Sequence, residues 1–280
     1  MYQSEFELGL VALNVNNIEL QTMFYQQVLG LEIVGQSERQ VDLGMGQKVL
    51  VRLIQTQDQT EVKDAYGLYH LAIVLPSRED LGQIFKHFVD NKVPLVGASD
   101  HGYSEAIYLE DTEGNGIEIY RDLPVSDWDI REDGQIVGIT ASMDAQAVYN
   151  LAQNSDQVYK MPVGSRMGHV HLTGKDSRAT ATFLEQLLNV EVKFSVPTGY
   201  WLASGNYHHH LAVNEWGGKF LKTREKQMRG LAYFVVEYSN AFAYQASLKC
   251  TQTLGLNLEL GHQEARVTDE NGIQILMKLV

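Results

Sequence analysis

The chain has 280 residues, 44% of them hydrophobic and 20% charged, so it is long enough for one large or two ordinary globular domains. Its 35 acidic residues outnumber 22 basic ones, and the formal net charge of −13 argues against a general affinity for nucleic acid or anionic membranes. A single cysteine, Cys250, excludes an intrachain disulfide framework, and the absence of a signal-peptide pattern or a long apolar run favours a cytoplasmic location.

Internal repeats organise the chain. Two pairs of segments share the order of an alternating strand, an amphipathic helix and a second strand: 10–34 with 169–194, and 67–96 with 230–260. Each segment of the second pair is followed by a matched strand, "EGNGIEIYRD" (113–122) or "DENGIQILMKL" (269–279). These matches predict four βαβββ units, at about 1–60, 61–123, 160–220 and 225–280.

Period-two strands with one helix per unit predict an α+β protein in which helices cover one face of curved sheets. The predicted domains are 1–123 and 161–280, each holding two units, and the turn-rich segment 124–160 is a predicted linker with one short helix. The pattern resembles the vicinal oxygen chelate superfamily, whose paired units form a cup around a metal ion. The repeats alone would also allow a merely structural duplication.

The resemblance implies that metal ligands occupy a few strand positions. In that superfamily the metal ligands come from the first strand of each unit and from a Glu in the last strand, just after a Gly-Asn-like turn. The first-strand positions of the four units are Leu10, His70, His169 and Tyr233, and the last-strand positions of units two and four are Glu118 and Gln274. Units one and four therefore supply no ligand set.

Units two and three together supply His70, His169 and Glu118, a 2-His-1-carboxylate set that leaves open positions on an octahedral ion and favours Fe(II), with Mn(II) as an alternative. The missing ligands therefore predict that unit two pairs with unit three. His171 lies two residues after His169 on the same strand face and is an alternative ligand. His70, a lone histidine in an apolar strand, could instead be a hydrogen-bonded core residue, whereas Glu118 would be costly to bury without a cation or partner.

The stretch "DHGYSEAIYLEDTEGNGIEIYRD" (100–122) resembles the extradiol catechol dioxygenases within the superfamily, which carry a His-Gly-x-Ser motif, then a Tyr, then the ligand Glu. His101 begins the matching motif, and Tyr108 lies ten residues before Glu118. The resemblance implies that His101 and Tyr108 hydrogen-bond a substrate oxygen. A solvated loop position is the alternative for His101.

Three adjacent histidines occur in "YHHHLAVNEW" (207–216). Extradiol enzymes carry a His three residues before an Ala in an apolar strand, and His209 stands three residues before Ala212. The resemblance assigns His209 the role of acid and base beside the substrate, which suits an imidazole with a pKa near neutrality. Strand alternation would turn His208 and His210 to the other face unless a bulge intervenes.

The resemblance implies an extradiol ring-cleaving dioxygenase that acts on a small aromatic diol with Fe(II) and O2. Two alternatives stay open: a glyoxalase-like isomerase or thiol transferase, which would use Ni or Zn and a fourth protein ligand, and a non-catalytic binding protein of the same superfamily. The expected partners are small molecules, without nucleic acid or membrane. The oligomeric state, including a homo-oligomer, is left open.

Overall fold

The computed structural model describes residues 4–154 and 157–280, and the four repeated units form regular elements within them. Unit one contains β1 (Glu7–Val15), α1 (Ile18–Gln27), β2 (Glu32–Ser37), β3 (Gln40–Met45) and β4 (Lys48–Gln55). Unit two contains β5 (Gly67–Val74), α2 (Arg78–Asp90), β6 (Gly97–Asp100), β7 (Ser104–Glu110) and β8 (Gly116–Asp122). Each unit therefore has the predicted order of strand, helix and three strands.

The second half of the chain repeats this order after a connection that forms β9 (Asp129–Ile130), β10 (Ile136–Val137), β11 (Ala141–Ser142) and α3 (Ala145–Asn150). Unit three contains β12 (Arg166–Thr173), α4 (Ser177–Leu188), β13 (Glu191–Val196), β14 (Gly199–Ala203) and β15 (Leu211–Asn214). Unit four contains β16 (Gly230–Tyr238), α5 (Ala241–Thr253), β17 (Glu259–Leu260), β18 (Glu264–Thr268) and β19 (Gln274–Leu279).

The turn between the first strand and the helix ends in a capping residue in every unit. The side chain of this residue accepts a hydrogen bond from a backbone N–H in the first helical turn, and the four residues are Asn17, Ser77, Asp176 and Asn240. Such a bond satisfies one of the N–H groups that a helix leaves without an internal partner. The repeat in the sequence is thus also a repeat in how each helix begins.

The units pair across the two halves of the sequence. A nine-stranded sheet has the order β11-β6-β7-β8-β5-β12-β15-β14-β13, and an eight-stranded sheet has the order β17-β18-β19-β16-β1-β4-β3-β2. The first strands meet antiparallel at each centre, β5 with β12 and β1 with β16. Unit two therefore pairs with unit three and unit one with unit four, as the distribution of ligand residues predicted.

The α+β class with cupped sheets is confirmed. Each sheet takes one unit from residues 1–123 and one from 161–280, so the two halves of the sequence are not the two sheets. The division into domains 1–123 and 161–280 stays a prediction about folding units. The hairpin formed by β9 and β10 and the short α3 lie in the predicted linker 124–160.

Alternation along the central strands separates the core from the site. In β5, Leu71 and Ile73 belong to the large hydrophobic core that both sheets and the helices share, and Ala72 belongs to a small cluster on the opposite face. His70 shares that opposite face because side chains two apart in a strand point the same way. Among the described residues, no helix is long and apolar enough to cross a membrane.

Candidate metal centre

Three neighbouring strands of the nine-stranded sheet bring the predicted ligands together. Ala72 of β5 is paired with His169 of β12 on one side and with Glu118 of β8 on the other. His70 precedes Ala72 by two residues and therefore lies on the same face. The three residues are almost fully buried, with 2% to 6% of their surfaces exposed. Strand order and register thus place two imidazoles and one carboxylate side by side.

The donor atoms of these side chains form a nearly equilateral triangle. Glu118 Oε2 lies 3.0 Å from His70 Nε2 and 3.1 Å from His169 Nε2, and the two imidazole nitrogens are 3.2 Å apart. With metal–ligand bonds of about 2.1 Å, two ligands at a right angle are about 3 Å apart, so the triangle matches one face of an octahedral ion. The residues therefore fit a divalent metal.

Burial also favours a neutral imidazole at His169. Burial lowers the pKa of His169 to about 4, so its ring is neutral near neutral pH and can offer a lone pair to a metal. The Nε2 atoms of His70 and His169 are 3.2 Å apart, so two N–H groups directed at Glu118 would also face each other, whereas a cation would accept the lone pairs of both rings. The site is organised as a ligand set more than as a hydrogen-bond network.

The choice between His169 and His171 depends on irregular pairing in β12. Register shifts occur on both sides, between Met167 and His169 and between His171 and Leu172. His171 Nε2 lies 2.9 Å from Nδ2 of Asn214, whose amide donates to it, and His171 is not part of the triangle. The structure therefore brings His169, and not its neighbour, to Glu118 and His70.

His101 and Tyr108 lie beside the triangle and contact each other. Tyr108 is directly paired with Glu118 across β7 and β8, and its hydroxyl is 2.6 Å from His101 Nε2. His101 Nδ1 lies 2.8 Å from the carbonyl oxygen of Ile139, so Nδ1 carries the proton and Nε2 accepts from the hydroxyl. Burial and the nearby Glu118 raise the pKa of Tyr108 well above its ordinary value, so the hydroxyl stays protonated.

His209, the middle one of the three adjacent histidines, lies in the site. The ring of His209 packs on that of His169, with centroids 4.2 Å apart, and both rings line the same cavity. Burial and the neighbouring His169 and His208 hold the pKa of His209 well below its ordinary value, so the imidazole is neutral near neutral pH. His209 is therefore placed beside the metal ligands without being one of them.

The alternation expected for a strand does not extend over the histidine run. Residues 207–210 precede β15 and lie outside any strand. His208 Nδ1 is 2.7 Å from His209 Nδ1, whereas His210 turns away and its ring contacts that of Phe6 at 5.2 Å between centroids. Two of the three histidines therefore interact directly, and the third packs elsewhere.

Sequence reasoning missed residues that support His208. Nε2 of its ring lies 2.8 Å from the carboxylate of Asp122, and the ring of Tyr103 stacks on it with centroids 4.3 Å apart and planes at 12°. Asp122 follows Glu118 by four residues in the same strand and so shares its face, which is the signal that could have nominated it. No local pattern connects either residue to position 208.

A cavity of about 970 Å³ opens beside the three predicted ligands. It is lined by His70, Glu118, His169, His209, His101 and Tyr108. Its outer wall is aromatic and apolar, formed by Tyr69, Phe194, Trp201, Trp216 and Leu221. Lys63 is the one lysine or arginine among the described lining residues, and its ammonium is paired with Glu110 at 2.7 Å. The cavity suits an aromatic or apolar molecule without a strong negative charge.

The eight-stranded sheet has different residues at the corresponding positions. Tyr233 lies in a small apolar cluster with Leu10 packed against it, and its ring is covered by the guanidinium of Arg266 at 4.6 Å from the centroid. The same Arg266 donates a hydrogen bond to Gln274 at 3.0 Å. Within residues 4–154 and 157–280, the only group of potential metal ligands is His70, Glu118 and His169.

Comparisons with known proteins agree with this architecture. The sequence model of the Glyoxalase/Bleomycin resistance protein/Dioxygenase superfamily matches residues 7–119. The predicted resemblance to this superfamily is confirmed. A relative named catechol-2,3-dioxygenase from Bacillus subtilis (strain 168) is 27% identical over 267 residues, which cover 94% of this chain and 93% of the relative.

Two solved structures are similar in fold over nearly the whole chain. A protein of Bacillus subtilis subsp. subtilis str. 168 has a TM-score of 0.68 and 12% identity, covering 100% of this chain and 86% of its own. Glyoxalase I from Zea mays has a TM-score of 0.58 and 13% identity, covering 98% of this chain and 92% of its own. At these identities the similarity concerns the fold alone.

Proposed function

We propose that this chain is an extradiol ring-cleaving dioxygenase that uses Fe(II) and O2 to open a catechol-type ring beside its two hydroxyl groups. The observation that carries the proposal is the triangle of His70, His169 and Glu118 at the base of an aromatic cavity, with His209 on one side and the pair of His101 and Tyr108 near the other. The catechol-2,3-dioxygenase relative supports the same assignment.

His70, His169 and Glu118 would hold Fe(II), which would supply the Lewis-acid and redox chemistry for a reaction between a catechol and O2, and Mn(II) suits the same ligands. Residues of the chain would transfer protons and orient the substrate. His209, neutral and unbound by metal, would accept a proton from a catechol hydroxyl and return it later in the reaction. Tyr108, fixed by His101, would orient the ring, and the aromatic wall would exclude water.

A glyoxalase-like activity is the second candidate, since Zea mays glyoxalase I has the same fold. Such an enzyme is expected to use a fourth protein ligand, and no fourth His, Cys, Asp or Glu joins the group within the described residues. The neutral His209 beside the ligands also favours the dioxygenase. A non-catalytic binding protein would have no need for the metal triangle.

The test is anaerobic loading of the purified chain with Fe(II), followed by catechol in air. We expect a yellow ring-opened product and the consumption of one O2 for each catechol. Loading with Mn(II) in a parallel sample distinguishes the two metals. Stoichiometric iron without O2 uptake, across a panel of catechols, would contradict the proposal, and isomerisation of a thiol adduct with Ni(II) or Zn(II) would favour the second candidate.

A further inference from the structure

A chain of hydrogen-bonding groups runs from the edge of the site to its centre. The carboxylate Oδ1 of Asp122 is 2.8 Å from His208 Nε2, and His208 Nδ1 is 2.7 Å from His209 Nδ1. The ring of His209 continues the line to the cavity beside His169. The superfamily resemblance assigns a role only to the last member of this chain.

The chemistry of the first member fixes the direction of the hydrogen bonds. A carboxylate can only accept, so His208 must carry a proton on Nε2. When His208 is neutral, its Nδ1 has a lone pair and accepts the proton that His209 carries on Nδ1. The opposite nitrogen of His209, Nε2, is then without a proton and is available as a base in the cavity.

The surroundings of His208 hold its ring and its carboxylate partner in place. The His208 side chain is fully buried. Asp122 also accepts a hydrogen bond from the hydroxyl of Tyr207 at 3.1 Å and lies 4.0 Å from the guanidinium of Arg166. The stack on Tyr103 holds the His208 ring in the plane that both hydrogen bonds need.

We propose that Asp122 and His208 are positioning residues that hold His209 in the tautomer protonated on Nδ1, so that its Nε2 faces the substrate as a base. This inference rests on the proposed function for its catalytic consequence. In the reaction the substrate O–H bond breaks, an N–H bond forms at His209 Nε2, and the proton later returns to an oxygen of the product. The hydrogen bond to His208 persists throughout, and the charge of Asp122 stabilises the transient His209 imidazolium.

The tautomers can be measured without catalysis. Protein labelled with 15N in its histidine rings and loaded with diamagnetic Zn(II) in place of iron gives separate nitrogen signals for protonated and bare positions. We expect His208 to be protonated on Nε2 only and His209 on Nδ1 only. A His209 protonated on Nε2, or a His208 protonated on both nitrogens, would overturn the inference.

Two matched substitutions in the run separate positioning from packing. His208→Phe keeps a ring against Tyr103 and removes both hydrogen bonds, whereas His210→Phe makes the same change at a similarly buried residue whose ring packs on Phe6. We expect His208→Phe to mix the His209 tautomers and to lower kcat about 100-fold with KM changed less than about twofold. The His210→Phe chain is expected to keep the His209 tautomer and a kcat near that of the wild type.

A second variant tests Asp122, the residue of the hydrogen-bonded series that lies farthest from the cavity. In Asp122→Asn the amide can either accept from His208 Nε2 or donate to it, so the His209 tautomer is expected to become mixed and kcat to fall at least about tenfold. Unchanged tautomers and kcat in both variants would overturn the inference. If His208→Phe does not fold, the wild-type tautomers alone decide it. If the wild-type chain cleaves no catechol, the proposed function fails while the tautomer measurement still stands.

Discussion

His70 Nε2 and His169 Nε2 lie 3.2 Å apart although 99 positions separate the two residues in the sequence. The antiparallel pairing of β5 with β12 produces this contact, and the neighbouring β8 adds Glu118. The same two histidines would be far apart if each half of the sequence formed its own cup. The metal centre therefore depends on pairing between units from different halves of the chain.

Removal of the carboxylate is expected to abolish metal retention. Glu118→Gln replaces the charged ligand by a neutral amide of the same shape, and we expect it to lose bound iron after anaerobic loading and desalting. Glu110→Gln is the matched control, because Glu110 lines the same cavity but pairs with Lys63 away from the triangle. Elemental analysis measures both, and a Glu118→Gln chain that holds stoichiometric iron would contradict the ligand assignment.

Bound metal should also stabilise the folded chain, because the unfolded chain lacks the assembled site. At a free metal concentration of about 100 times Kd, the expected stabilisation is about 2.7 kcal/mol, seen as a rise in Tm. Calorimetry with Mn(II), which avoids oxidation, measures it in wild type and Glu118→Gln. Equal shifts in the two chains would indicate metal binding elsewhere.

His209 is expected to act on protons without holding the metal. We expect His209→Asn to retain iron and to lower kcat by about 100-fold to 10,000-fold, the range for loss of a general acid and base. Metal content and steady-state kinetics together make the measurement. Loss of iron in this variant would show that His209 is a ligand, and an unchanged kcat would remove its proposed role.

Glycine at position 116 allows two strands of the site to approach. A Cβ at this position would collide with the backbone carbonyl of Tyr69 and lie 3.1 Å from the Cβ of His70. We expect Gly116→Ala to lower the free energy of unfolding by about 1–3 kcal/mol and to weaken metal binding, since β8 must shift against β5. Gly97→Ala, where no atom lies within 4 Å of the added Cβ, is the control and is expected to be nearly neutral in denaturant unfolding.

The cavity wall predicts the preferred ring substituents. Trp201 and Phe194 offer apolar surface, and Lys63 is occupied by Glu110, so catechols with apolar or aryl substituents should have a higher kcat/KM than those with a carboxylate. Trp201→Ala should raise KM for an aryl catechol more than for catechol itself. A panel of substituted catechols measures this, and a preference for carboxylated substrates would contradict it.

Glu113 provides a contrast with Glu118, five residues away. Its carboxylate accepts hydrogen bonds from the backbone N–H groups of Asn16 and Asn17 and from the guanidinium of Arg229. Glu113→Gln is therefore expected to cost about 1–3 kcal/mol of unfolding free energy and to leave metal content unchanged. Denaturant unfolding and elemental analysis test both statements, and iron loss in the folded variant would contradict the second.

The sequence was sufficient to predict the four units and the way in which they pair. The four repeats predicted the units, and the apolar or amide residues at Leu10, Tyr233 and Gln274 predicted which units pair, because a ligand set could be assembled in one combination only. These inferences succeed because they use residue types at repeated positions, which do not depend on exact geometry. The resemblance of residues 100–122 to the extradiol motif also implied that His101 and Tyr108 lie near Glu118.

Other features depended on contacts that no local pattern encodes. Alternation holds only in a regular strand, so it could not choose between His169 and His171 across the register shifts of β12. It does not apply to His208, which lies outside any strand, before β15. The bond between Asp122 and His208 joins residues 86 positions apart. The sequence thus determined which residue types are available and which units must meet. Only the tertiary structure decided which imidazole nitrogens converge, because that depends on strand register and side-chain packing at the ångström scale.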